Sequence, residues 1–280
     1  MCRHVAYLGR PRSPARAWFD APHSLLVQSY APRDMRGGGT VNADGFGFAW
    51  IADDGDPVRY RRANPLWTDK SAPRLAQTVR SPLFVGAVRS GTPGMPVDEA
   101  ACAPMLDGHW IFSHNGVVRG WPDSVAGLAE KLPAAELLRL DARTDSALLW
   151  AVLRRRLAEG ADPAAEVAQL VSDVERAAPG SRLNLLLARP GMLVATAWTH
   201  ALAMRLSPDG VELASEPYDD DPAWQAVPDG SLVTASAPAS AMDEPDGAEG
   251  VDEGIRVTTT AIANPAGGPA GNEGSQTCST

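Results

Sequence analysis

The sequence predicts an α+β protein with mainly antiparallel sheets. Three observations carry that expectation. Strand-like segments fill the first part of the chain, two helical segments form the middle, and strand character returns over residues 183–235. Strands and helices do not alternate one for one, so the pattern excludes a chain of parallel βαβ units.

Taken in order, residues 5–8 form an apolar run that begins almost at the N-terminus. Residues 45–51 (GFGFAWI) and 58–62 flank Asp53-Asp54-Gly55-Asp56 and read as a hairpin. Residues 83–88 (LFVGAV) read as a buried strand ended by Ser90-Gly91-Thr92-Pro93-Gly94. Residues 110–118 (WIFSHNGVV) read as two short apolar pieces around a polar turn at His114-Asn115-Gly116. Thr144 is a good N-cap, and residues 146–158 repeat apolar side chains at helical spacing. Residues 163–178 form a second helix, opened by Asp162-Pro163 and closed by Pro179-Gly180. Five strands then follow, at 183–188, 193–198, 201–206, 211–214 and 232–235.

Composition limits the function. The chain has 280 residues, 44% of them hydrophobic, which is enough for a sizeable core. A formal charge of −9 argues against a protein that coats nucleic acid or an anionic membrane. No apolar run is long enough to span a bilayer, and no signal-peptide core follows the N-terminus. Three cysteines, Cys2, Cys102 and Cys278, make an odd and sparse set that argues against a disulfide framework. The expectation is a cytoplasmic protein with reduced thiols. The acidity is uneven. Residues 237–280 hold seven acidic side chains against Arg256 alone, and no aromatic follows Trp224. The chain therefore divides into a folded domain at 2–236 and an acidic, Pro/Gly-rich tail at 237–280 expected to be disordered. Within that tail, residues 255–262 alternate like a strand and could dock.

The first residue with chemical content is Cys2. Methionine before a small residue is normally removed, which would leave Cys2 with a free α-amino group. In small peptides an α-amine titrates near pH 8 and a thiol near 8.5, roughly. One residue would then carry both a nucleophile and its base. The alternative is a cysteine at position 2 by chance. Asn115 and Gly116 offer a carboxamide and a backbone N–H, the parts of an oxyanion hole, or else a plain Asn-Gly turn. Arg89 can grip a carboxylate with its forked guanidinium, or form a surface ion pair. Asp145 can complement a helix dipole, or pair with an ammonium. The five histidines, His4, His23, His109, His114 and His200, show no metal-ligand spacing, and no cofactor motif is present.

In order along the chain, Cys2, the Asp44–Gly47 segment (DGFG), Arg89 with Thr92 (RSGT), Ser113-His114-Asn115-Gly116 and Thr144-Asp145 resemble the class II glutamine amidotransferases, a family of N-terminal-nucleophile hydrolases. The opening Cys2-Arg3-His4 with Tyr7-Leu8-Gly9, and Ser215-Glu216-Pro217 with Trp224, look like the branch of ergothioneine biosynthesis that hydrolyses γ-glutamyl-hercynylcysteine sulfoxide. The resemblance covers residues 2–236. It implies a four-layer αββα sandwich, with Cys2 as nucleophile, its α-amine as base, and Asn115 with Gly116 as oxyanion hole. It further implies a substrate pocket in which Arg89 and Thr92 hold the α-carboxylate of a γ-glutamyl group, Asp145 holds its ammonium, and His114 stands beside them. The implied partner is a small γ-glutamyl molecule, with no metal and no cofactor. No synthase domain fits in the remaining chain, which favours a hydrolase over a glutaminase subunit serving a separate synthase, or a non-catalytic protein of the same fold.

Overall fold

The computed structural model describes residues 2–35, 41–238 and 254–264. Two antiparallel sheets lie face to face. From edge to edge, the first sheet holds β11 (Gln225–Ala226), β9 (Ala203–Ser207), β10 (Gly210–Ala214), β1 (Arg3–Arg12), β4 (Ser81–Val88), β2 (Phe46–Ile51) and β3 (Pro57–Arg62). The second holds β13 (Arg256–Ala261), β12 (Ser231–Ser236), β8 (Met192–Ala197), β7 (Arg182–Arg189), β6 (Trp110–Val117) and β5 (Met105–Asp107).

Three apolar clusters define the layers. Alternate residues Ala6, Leu8, Val85, Ile111, Leu186, Ala195 and Val233 meet between the sheets. The other face of the second sheet, with Phe112, Leu185 and Leu187, packs under α5 (Asp145–Ala158) and α6 (Pro163–Ala177). The other face of the first sheet lies under a π-type turn at Arg16–Asp20, α1 (Leu25–Gln28) and α2 (Ala72–Thr78). There Trp18 stacks on Phe48 with ring centroids 4.1 Å apart. Burying a side chain of this kind stabilises the fold by about 1.5–3 kcal/mol. The result is the expected αββα sandwich. Two further helical turns, α3 (Ala126–Ala129) and α4 (Ala134–Leu137), lead into α5.

The middle helices form for the reasons read from the sequence. The Thr144 hydroxyl caps α5 by accepting from the Ala147 N–H at 3.2 Å. Asp162 caps α6 through the Ala165 N–H at 2.8 Å, and Pro163 takes the first helical position, where no backbone donor is needed.

Two expectations change. The polar turn expected at His114-Asn115-Gly116 is the interior of one continuous strand, β6, with Asn115 opposite Asn184 of β7. Buried polar residues in a strand mimic a turn signal when only sequence is read. Within the tail expected to be disordered, the stretch read as able to dock, 255–262, does so: it contains β13, which pairs with β12 from Ser231↔Ala261 to Ser236↔Arg256. Ile262 is buried against the helical layer, which anchors this added strand. The ordered fold thus extends past residue 236, while the rest of that tail, Cys278 included, lies outside the described residues.

Candidate active site

The site forms where both sheets end on the same side. In the first sheet, Val88 pairs with Arg3 of β1 and with Phe46 of β2, so Cys2, Arg89 and Gly45 gather at one end. The Arg89 N–H donates to the Gly45 carbonyl at 2.8 Å, and Asp44 Oδ2 accepts from the Gly91 N–H at 2.8 Å, which holds the loop after β4. Gly45 has φ +120°, and a Cβ there would lie 2.3 Å from Cys102 Sγ, so only glycine fits.

Cys2 is half-buried, and its Sγ lies 3.9 Å from the Ser90 carbonyl. A small opening joins it to Arg89, Ala101 and Ala103 on one side and to His114 and Ser146 on the other. Arg89 is buried, one of its nitrogens (Nη2) has no hydrogen-bond partner among the described residues, and Nη1 reaches the Asp44 carbonyl only at 3.4 Å. A desolvated guanidinium with an open donor is suited to an incoming carboxylate.

Asn115 is fully buried. One carboxamide N–H donates to Ser215 Oγ at 2.8 Å, and the other has no partner among the described residues. Neither Asn115 nor Gly116 lines the opening itself; they follow the lining residue His114 directly on β6. Gly116 is enforced by packing, because a Cβ there would stand 1.8 Å from the Arg182 carbonyl.

His114 is buried, with Nε2 3.0 Å from the Arg182 carbonyl and Nδ1 3.0 Å from Ser146 Oγ. A carbonyl only accepts, so the network assigns the proton to Nε2. Asp145 is also buried, but its carboxylate is already engaged. Oδ2 accepts from the Val118 N–H at 2.9 Å and Oδ1 from the Ser146 N–H at 2.7 Å. It stands one residue behind the lining residue Ser146. Thr92 is not brought to the opening. It lies exposed in the turn after Arg89, where its carbonyl accepts from the Met95 N–H.

Sequence reasoning missed a brace around Cys2. Arg3 donates to the Cys2 carbonyl at 3.0 Å and to Glu216 Oε1 at 2.9 Å. Glu216 also takes His23 Nε2 and the N–H groups of Arg33 and Asp34. Ser215 Oγ accepts from the His4 N–H at 2.9 Å as well as from Asn115, tying β1 to β6. The signal was present in Cys2-Arg3-His4 and Ser215-Glu216, but nothing in the sequence showed that these segments touch. Cys102, by contrast, is fully buried, and burial pushes its thiol up to about 11, which makes it inert.

The brace makes the fold acid-labile. Burial raises the Glu216 carboxyl, but hydrogen bonds from His23 and Arg3 and the Arg3 charge outweigh it and hold it at about 2. Burial, then His114, His200 and Arg3, push His4 down to about 3. Both groups bind protons more readily in the unfolded chain, so their stabilisation is complete above the ordinary values of 6.5 and 4.5 and fades as pH falls toward 3 and 2. The thermal midpoint is expected to drop between pH 6 and 3, each titrating group contributing about 1.4 kcal/mol per pH unit. His4→Gln should flatten the upper part of that slope in a calorimetric pH series. A slope unchanged by His4→Gln would contradict this assignment.

Residues 19–212 match the family described as class II glutamine amidotransferases. The chain belongs to that family. It is 43% identical over 233 residues to the gamma-glutamyl-hercynylcysteine sulfoxide hydrolase of Mycolicibacterium smegmatis, covering 83% of this chain and 95% of that protein. It is 40% identical over 250 residues to the protein of the same name from Mycobacterium tuberculosis, covering 89% and 99%. Among solved structures, a glutamine aminotransferase class-II domain protein from Silicibacter pomeroyi superposes with a TM-score of 0.63 at 22% identity, covering 94% of this chain and all of that one. Glutamine phosphoribosylpyrophosphate amidotransferase from B. subtilis superposes at 0.64 and 13% identity, covering 94% of this chain and 49% of that one. These structures establish the shared fold. As a class II amidotransferase, the chain carries the family's sandwich and the Cys2-bearing end of β1 where the opening lies. Among the described residues, no helix is long and apolar enough to cross a membrane.

Proposed function

We propose that this chain hydrolyses the γ-glutamyl amide bond of γ-glutamyl-hercynylcysteine sulfoxide, releasing glutamate and hercynylcysteine sulfoxide as a step of ergothioneine biosynthesis. The observation that carries this reading is identity of 40–43% to hydrolases of that name across nearly their whole length.

In the proposed mechanism the mature chain begins at Cys2. Its α-amine takes the thiol proton, directly or through one water. The thiolate attacks the γ-carbonyl carbon, and the oxygen that gains the electron pair is held by the open Asn115 N–H and the Gly116 N–H. The C–N bond breaks as the ammonium returns its proton to the departing nitrogen, leaving a γ-glutamyl thioester. Water, deprotonated by the same amine, then attacks the thioester and releases glutamate. Arg89 holds the α-carboxylate of the γ-glutamyl group. Asp145 draws its ammonium through the carboxylate lone pairs that the backbone N–H groups leave open, with His114 and Ser146 shaping the wall between them. Thr92 contributes from the loop only if that turn folds inward on binding.

The test is a mass-spectrometric product assay that offers the γ-glutamyl sulfoxide conjugate and free glutamine side by side. The conjugate is expected to be cleaved with a kcat/KM at least about 100-fold above that of glutamine. Preferred turnover of free glutamine would support a glutaminase subunit instead, and no turnover of either would leave a non-catalytic protein of this fold.

A further inference from the structure

Two arginines stand at strand ends on the side of the fold where Cys2 lies, Arg89 in the lining of the opening and Arg182 behind the lining residue His114, and the mechanism above uses the first. Arg89 ends β4 in the first sheet. Arg182 begins β7 in the second. Alternation along β7 assigns the Arg182 side chain a face. Leu183, Leu185 and Leu187 pack under the helices, while Leu186 and Ala188 pack between the sheets. Arg182 therefore shares the inter-sheet face, at the strand end where the site opens. Its strand partner is Val117, two residues past Asn115 on β6, and its own carbonyl holds His114.

Among the described residues the guanidinium has no anion. Nε is buried without a hydrogen-bond partner, and the side chain forms no ion pair among the described residues. Burial and then neighbouring Arg119 lower its pKa. In a chain with nine more anionic than cationic charges, a half-buried arginine without a partner is costly to keep. An anion supplied by the substrate would remove that cost.

We propose that Arg182 determines specificity on the leaving-group side, binding the carboxylate on the carbon that bears the departing nitrogen. The inference rests on the γ-glutamyl amide reading above. With the γ-glutamyl end at Arg89 and the scissile carbonyl at Asn115, the leaving half extends toward the start of β7. A γ-glutamyl amino acid carries a carboxylate there; free glutamine, whose leaving group is ammonia, does not. Arg182 thus selects γ-glutamyl conjugates of amino acids over glutamine.

The test compares γ-glutamyl-hercynylcysteine sulfoxide with the analogue built on cysteamine, which lacks only the carboxylate beside the scissile nitrogen. Wild-type protein is expected to prefer the first by roughly 10- to 100-fold in kcat/KM, the range of one charge-assisted hydrogen-bonded pair. Arg182→Gln should erase that preference, chiefly by raising KM for the carboxylate substrate, and leave the analogue within about threefold of wild type. Arg182→Lys should restore part of the preference, since it returns the charge without the fork. An equal loss on both substrates would show that Arg182 serves Cys2 or the fold and would overturn the proposal, as would a preference that survives Arg182→Gln. If wild-type protein cleaves neither compound, the γ-glutamyl reading itself fails.

Discussion

Cys2→Ala is expected to lower kcat for γ-glutamyl amide hydrolysis by at least about 10⁴-fold, the scale on which removal of a covalent nucleophile is felt. Within the described residues Cys2 is the one cysteine whose thiol borders the opening. Cys102 cannot substitute, because it is fully buried with its thiol raised to about 11. The substitution should leave stability nearly unchanged. The Cys2 side chain makes only a 3.9 Å contact, and the brace from Arg3 reaches its carbonyl, which alanine keeps. Loss of activity at an unchanged unfolding midpoint is therefore the expected pair of results, read by product assay and calorimetry. Activity within about tenfold of wild type would remove Cys2 from the chemistry.

Asn115→Ala is expected to cost about 10²–10³ in kcat, with a much smaller change in KM. In the proposed mechanism the second amide N–H stabilises the charge that develops as the carbonyl becomes tetrahedral, and that charge is absent from the bound substrate. A small loss of stability should accompany it, because Ser215 Oγ loses one of its two donors and keeps the His4 N–H, a cost of about 0.5–1.5 kcal/mol. Ser215→Ala separates the two effects. It removes the tether of Asn115 but keeps the carboxamide, so it should destabilise comparably and lower kcat less. Steady-state kinetics at matched temperature give the comparison. A rise in KM with kcat preserved would place Asn115 in ground-state binding instead.

Much of this was legible in the sequence, and the failures share a cause. The apolar runs at β1, β2, β4, β7 and β8 announced themselves because each strand contributes a full face to a core. Thr144 and Asp162 marked their helices because a cap is a local event. His114-Asn115-Gly116 was misread as a turn because function places polar groups where a strand would carry apolar ones. The identities of Cys2, Asn115 and Arg89 could be read, yet Cys2 meets Arg89 through the pairing β1–β4, and Asn115 is tied to β1 only through Ser215, and no local pattern encodes those. Arg182 was invisible for the same reason. That its guanidinium has no ion-pair partner among the described residues can be seen only in the folded chain. Thr92 was carried by its neighbours in RSGT, but the Pro93-Gly94 turn after it leads the chain outward, with φ +90° at Gly94.

The central claim is that an N-terminal Cys2 forms a γ-glutamyl thioester. It is tested most directly by acid-quenching the protein during turnover and measuring intact and peptide masses. The expected result is a chain that begins at Cys2, with a fraction carrying one γ-glutamyl unit on that residue and none in Cys2→Ala. An active protein that retains Met1, or an acyl group found on any other residue, would contradict it.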